Sequence, residues 1–262
     1  MSAPSYGARW PVYARAWDAM TIPPARAREV RATAVRLAAA KAQYQTVEKL
    51  TGVPWFMIAV IHEREASQNW NTQLAEGDPL RRVSTHVPRG MGPFATWEAG
   101  AVAALEHEGF EHVIDWRLEK ILFYLEAYNG WGYWAHGVPS PYLWGATGIQ
   151  RPGKYVADGV WSSRALDQQL GCAALIKATS ELDKTIQIVR EDDRSTPMAA
   201  QASVPAQAGT QGPEPVAPGS RLAAARRPGH EAATAPPQPR SRDWLQALRD
   251  WFSSLRNLVR KA

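Results

Sequence analysis

Residues 55–61 read Trp-Phe-Met-Ile-Ala-Val-Ile, and the next four, His62-Glu63-Arg64-Glu65, are all ionisable. Pro54 precedes the run, near a first turn where a missing N–H costs little. The pattern predicts a helix from Trp55 to about Ser67. A helix apolar on most faces has to be enclosed by other elements. The chain must therefore build a domain around this segment. The carboxyl groups at its end then need a reason to be there, because an unpaired buried charge is costly.

The surroundings read as helical. Pro23-Pro24 precede an Ala/Arg-rich stretch that predicts a helix to about Leu50, broken by Thr51-Gly52. Further helical periods run from about Trp97 to Glu108, Arg117 to Tyr128 and Ser163 to Arg190. Asn69 to Arg89 is polar and carries turn signals. Gly77-Asp78, flanked by Thr72, Leu74, Val83, Thr85 and Val87, suggests a hairpin. Residues 130–161 are rich in Gly, Pro, Tyr and Trp and read as an ordered aromatic loop region. The expected fold class is mainly α: an α+β domain with a small β-hairpin after a buried helix.

Composition changes near residue 190. Ten of the twelve Trp lie before it, whereas 191–240 has none and holds nine of the twenty Pro. Such a segment buries too little apolar surface to offset its ordering entropy, and is expected to be a flexible, disordered linker. Residues 241–262 differ again. Trp244, Leu245, Leu248, Trp251, Phe252, Leu255, Leu258 and Val259 recur at spacings of three and four, and Arg242, Arg249 and Arg256 every seven. This predicts a cationic amphipathic helix suited to an anionic membrane surface. The expected organisation is thus 1–190, 191–240 and 241–262.

Several function classes are excluded. The formal net charge is only +5, without the dense basic stripe of a nucleic-acid-binding domain, so no nucleic-acid partner is expected. A lone cysteine, Cys172, forms no intrachain disulfide and no Cys-based zinc site. His86, His107, His112 and His136 lack a metal-binding spacing, and no GxGxxG or P-loop occurs; neither metal nor cofactor is expected. MSAPSYGARW has no apolar signal-peptide core. The expectation is synthesis in the cytoplasm and action at the cell wall after release.

Ile58, Ile61/His62 and Glu65 share one helical face. A desolvated carboxyl has a raised pKa and can donate a proton to a glycosidic oxygen. Spacing alone does not choose between Glu65 and Glu63, the second-choice acid. His62 reads as a core histidine whose hydrogen bonds orient its neighbours.

The run IHERE (61–65) with Ala66-Ser67 resembles the end of the catalytic helix in the lysozyme-like superfamily. Ala127-Tyr128-Asn129-Gly130 resembles the A-Y-N-x-G motif of goose-type lysozymes and soluble lytic transglycosylases. NTQLAEGDPL, THVP, SPYLW and GKYVADG extend the resemblance, to phage and bacterial lysozyme-like proteins, over about 50–175. The G-L-M-Q segment of transglycosylases is replaced by Gly90-Met91-Gly92-Pro93, and Ala66 stands where those enzymes have Ser.

The resemblance implies a peptidoglycan-cleaving glycosidase with Glu65 as general acid, Tyr128 beside it and Asn129 reaching substrate. An inverting muramidase also needs a second carboxylate, about 6.5–9.5 Å from the first. Asp78 is the first candidate and Glu76 the second, with Thr85 and His86 placed to position water. Trp131, Tyr133 and Tyr155 are expected to meet sugar rings, and Asp158 to line the cleft or start a turn. A phage endolysin would combine such a domain with the tail. The alternatives are a lytic transglycosylase, a chitinase- or chitosanase-like glycosidase, and a non-catalytic glycan-binding module with a membrane-perturbing tail.

Overall fold

The computed structural model describes residues 3–193, except Glu76, Val87 and Asp158. The second-choice base, one cleft candidate, the helix expected at 241–262 and all but the first three residues of the expected linker lie outside the described residues. Those described form a mainly α structure, with nine α-helices and one two-stranded sheet. No helix among them is long and apolar enough to cross a membrane.

Helix α1 spans Tyr6–Ala19, α2 Pro24–Ala39, α3 Lys41–Thr51 and α4 Trp55–Ala66. The stretch expected as one helix to Leu50 is two helices, broken at Ala40. No Gly or Pro marks that break. It arises from packing: α2 lies against α9 (Cys172–Leu182), while α3 lies against α4 and α5 (Trp97–His107). A straight rod would not serve both partners.

Helix α4 is the centre of the core. Trp55 through Ile61 are all buried, and α2, α3 and α9 enclose them. Ser67 and Gln68 end it with two consecutive left-handed residues, at φ 52° and 58°. The amide of Ser67 donates to the Glu63 carbonyl and that of Gln68 to the His62 carbonyl, closing the last turn as a helix C-cap does. Such backbone is strained for non-glycine residues. The Gln68 side chain holds it, accepting from Arg36 Nε at 2.7 Å and donating to the Arg36 carbonyl at 3.3 Å.

His62 is fully buried. Its Nε2 lies 3.1 Å from the Asn69 carbonyl and its Nδ1 3.1 Å from the Tyr44 hydroxyl. A carbonyl only accepts, so Nε2 carries the proton and Nδ1 accepts from Tyr44. Burial pushes its pKa down to about 4, although the Asn69 contact favours the charged form. An unfolded histidine titrates near 6.5, so the unfolded chain binds the extra proton first. Stability from this group is therefore complete above about pH 6.5 and falls as pH drops towards 4, by about 3 kcal/mol. Unfolding in urea at pH 7.5 and pH 4.5 measures the fall. His62→Gln should flatten it, and an unchanged pH slope in that variant refutes the assignment.

The segment after α4 is not the hairpin expected there. A single isolated antiparallel bridge joins Thr72 and Pro79, and hydrogen bonds from Gln73 and Leu80 amides complete a turn around Gly77-Asp78. Residues 83–86 form no strand; they wrap around Asp78. The two-stranded sheet lies elsewhere, in the region expected to be loop: β1, Lys154–Ala157, pairs antiparallel with β2, Val160–Ser162.

Helix α6, Leu118–Asn129, packs on α1 and on the short α8, Pro141–Trp144; α7 is Gly132–Ala135. The helix expected over 163–190 shrinks to α9. Asp167 and Asp183 accept the amides two residues ahead, Gln169 at 2.8 Å and Thr185 at 2.9 Å. These side-chain turns compete with helix. The chain then returns along the N-terminal elements. Glu191 is buried, with its amide on Glu119 and the Tyr6 hydroxyl on its carboxylate. Packing thus continues past residue 190.

Candidate active site

Glu65 lies in the last turn of α4. It is half-buried, unlike the fully buried His62 and the buried Arg64. The expected buried acid is therefore a carboxyl at the rim of the core, because α4 ends one residue later. Its Oε1 accepts the hydroxyl of Tyr142 at 2.9 Å. Tyr142 is buried on α8. Burial pushes its hydroxyl pKa well up, and the neighbouring Glu65 charge pushes it further. Tyr142 thus stays protonated and can only serve that carboxyl as a donor.

Two glycines let α8 come this close. A Cβ on Gly145 would lie 2.5 Å from the Gln169 carbonyl oxygen, and one on Gly171 2.3 Å from that of Leu143. The Gly171 amide donates to the Gly145 carbonyl at 2.9 Å. Any side chain at either position would push α8 off the start of α9 and draw Tyr142 from Glu65.

Arg64 packs on the Tyr142 ring. Its guanidinium carbon sits 4.8 Å over that ring, and Nη1 donates to the Leu170 carbonyl at 3.2 Å. Nη2 is 3.8 Å from buried Asp167, whose same oxygen is 3.7 Å from Lys154 Nζ. Cys172 is buried nearby, and burial pushes its thiol pKa up, so it is an unreactive core residue.

The other expected residues fall into separate groups. Tyr128 is fully buried on α6. Its hydroxyl donates to the Leu74 carbonyl at 3.3 Å, and its ring lies 6.5 Å from that of Tyr142. Tyr142 meets the Glu65 carboxyl, and the Tyr128 ring neighbours that of Tyr142. Asn129 and Trp131 are buried, and neither Asn129 Oδ1 nor Trp131 Nε1 has a hydrogen-bond partner among the described residues. Trp131 packs on Phe123 with ring centres 5.1 Å apart.

Asp78, Thr85 and His86 do come together. Asp78 accepts from the Ser84 hydroxyl (2.9 Å), the Thr85 and His86 amides (3.0 and 3.2 Å) and His86 Nδ1 (2.7 Å). Burial raises its pKa, but these bonds outweigh it and the carboxyl ends below its ordinary value. It is an ionised anchor for the 84–86 turn. Glu63, the second-choice acid, is in an ion pair with Arg36 at 2.7 Å.

Tyr133 and Tyr155 meet in an aromatic cluster on the β1–β2 hairpin. Their ring centres are 5.6 Å apart, and both pack on Trp161, which stacks on His136 at 3.8 Å. A Cβ on Gly132 would come within 2.8 Å of the Tyr155 hydroxyl.

Sequence reasoning placed Tyr142 only among the aromatics of 130–161 suited to sugar rings or a small core, not on the carboxyl, and did not single out Asp167. Tyr142 had a signal: Ser140-Pro141 can open a short helix with Pro at its first position. Asp167 had none beyond the turn-forming tendency of Asp. No group of His, Cys, Asp and Glu among the described residues could hold a metal ion. No family model, curated protein or solved structure matches the chain.

Proposed function

We propose that the chain is a glycosidase acting on peptidoglycan or a related amino-sugar polymer, with Glu65 as its proton donor. The observation that carries this is the half-buried Glu65 carboxyl, fixed through Oε1 by a tyrosine hydroxyl buried beneath it. Tyr142 fixes one oxygen and thereby orients the other, on which a protonated acid would carry its proton. Proton donation to the glycosidic oxygen lets the leaving sugar depart as an alcohol while positive charge builds on the ring. A negative carboxylate near that ring stabilises it. The resemblance is what carries Asp78 over to this electrostatic role; its four accepted hydrogen bonds favour the ionised form and leave it poorly placed to activate water.

That same commitment of Asp78 favours a second reading, a lytic transglycosylase. There one carboxyl acts first as acid and then as base, and the sugar's own 6-hydroxyl displaces the bond. Digestion of purified peptidoglycan by the full chain, with products read by mass spectrometry, tests both. Reducing ends support a muramidase and 1,6-anhydro ends a transglycosylase. No cleavage of peptidoglycan, chitin or chitosan overturns the glycosidase reading in favour of a glycan-binding module.

We assign residues 241–262 to an anionic membrane surface on their sequence pattern alone. Leakage from vesicles containing phosphatidylglycerol should fall at least severalfold in Trp251→Asp. Equal leakage in the two proteins removes the assignment.

A further inference from the structure

We propose that the cavity beside α3 and α5 binds a hexose bearing a carboxylate, at a place separate from Glu65. The cavity holds about 500 Å³, within the range of small-molecule sites. Its lining includes Trp70, Trp97, Arg81, Arg82, Gln43 and Glu98, and includes neither Glu65, Tyr142 nor Asp78.

Three features select the ligand. The first is a corner of two indoles: the rings of Trp70 and Trp97 are 4.6 Å apart at 71°. Trp97 is only 3% exposed, yet its Nε1 has no hydrogen-bond partner among the described residues. A buried donor left unpaired costs free energy that an acceptor on a ligand would recover. The half-buried Trp70 ring also suits the apolar C–H face of a sugar.

The second is positive charge. Arg81 and Arg82 are exposed and pair with no carboxylate among the described residues. The loop that carries them is held from beneath by buried Gln73, whose Nε2 donates to the Pro79 and Arg82 carbonyls at 3.3 and 2.8 Å. A guanidinium is matched in shape and charge to a carboxylate.

The third is a polar pair in the lining. Gln43 Nε2 donates to Glu98 Oε1 at 3.0 Å. Glu98 sits in the first turn of α5, where the helix end partly offsets its charge. Its oxygens accept hydroxyl protons, as a sugar would offer and a bare inorganic anion would not. An apolar ligand would leave the Trp97 N–H and both arginines unanswered.

The proposal deepens the glycan reading, and its test does not require cleavage. Titration of the full chain with N-acetylmuramic acid, glucuronic acid and N-acetylglucosamine, followed by calorimetry and by the Trp97 indole N–H signal in NMR, separates the cases. Saturable binding of either acid, at least tenfold tighter than of the neutral sugar, with a shift of the Trp97 signal, supports the site. The tighter acid identifies its natural source. Arg81→Ala/Arg82→Ala, at exposed positions, should weaken the acid by tenfold or more. Trp97→Phe should remove the shifted signal, and Glu65→Gln should bind as tightly as wild type. No saturable binding, equal binding of acid and neutral sugar, or loss of binding in Glu65→Gln overturns the proposal. A chain that binds the acid but cleaves nothing retains this site and loses only the glycosidase reading.

Discussion

Glu65→Gln is expected to lower cleavage of purified peptidoglycan by about 10²–10⁴-fold while the unfolding midpoint stays where it was. Gln has the same shape, and its carbonyl oxygen can still accept from Tyr142, whose hydroxyl now reaches Oε1 at 2.9 Å. What it lacks is the transferable proton. Glu63→Gln is the comparison that matters, because spacing alone did not separate the two carboxyls. It breaks an ion pair with a half-exposed Arg36, worth about 1 kcal/mol or less, and should leave cleavage intact. Tyr142→Phe keeps the proton but removes the donor that orients the carboxyl, and should fall between the two. Full activity in Glu65→Gln, or its loss in Glu63→Gln alone, would move the acid off Glu65.

Why the sequence separated some of these residues and not others follows from the range of the forces involved. The apolar run 55–61 predicted α4 almost to the residue, because enclosure of an all-apolar helix is a local instruction. Helices α5 and α6 were legible from their helical periods, which are also a local signal. Helix α1 was not read: Pro11 interrupts its pattern, and its contacts with α6 are long-range. The break at Ala40 and the shortening of α9 were hidden too, since each depends on a distant partner.

The hairpin was misplaced for a related reason. Gly77-Asp78 is turn chemistry, correctly read, but a turn does not imply a ladder. Asp78 spends its hydrogen bonds on 84–86 and turns that chain inward instead. The ladder at 154–162 has an exposed face at Val156 and Val160, so no apolar/polar alternation announced it. At the site, the position of Glu65 was legible from the helix. Tyr142 was not, because 77 residues separate it from the carboxyl, and two glycines decide whether it arrives.

The largest effect on stability is expected at Glu126, on α6 three residues before Asn129. Glu126 is 1% exposed and accepts from Arg9 Nη2 at 2.6 Å. It also accepts a short hydrogen bond from the fully buried Tyr13 hydroxyl. Arg9 lies 4.8 Å over the rings of both Tyr13 and Trp134. Burial alone would lower the Arg9 pKa, but Glu126 and Tyr13, through charge and hydrogen bonds together, outweigh it and the net direction is up. Glu126→Leu would strand a buried guanidinium and a buried hydroxyl together. Removing one partner of such a pair costs about 3–5 kcal/mol. With an m-value of about 2 kcal/mol/M, the urea midpoint should fall by about 2 M. Arg9→Met/Glu126→Leu removes both charges and should recover most of that loss, since desolvating the pair was itself expensive. Two single losses that simply add in the double variant would show that the ion pair does not couple α1 to α6. The pair lies outside the proposed chemistry. At temperatures where Glu126→Leu remains folded, its turnover should therefore match wild type, which separates a clamp on α6 from a part in the reaction.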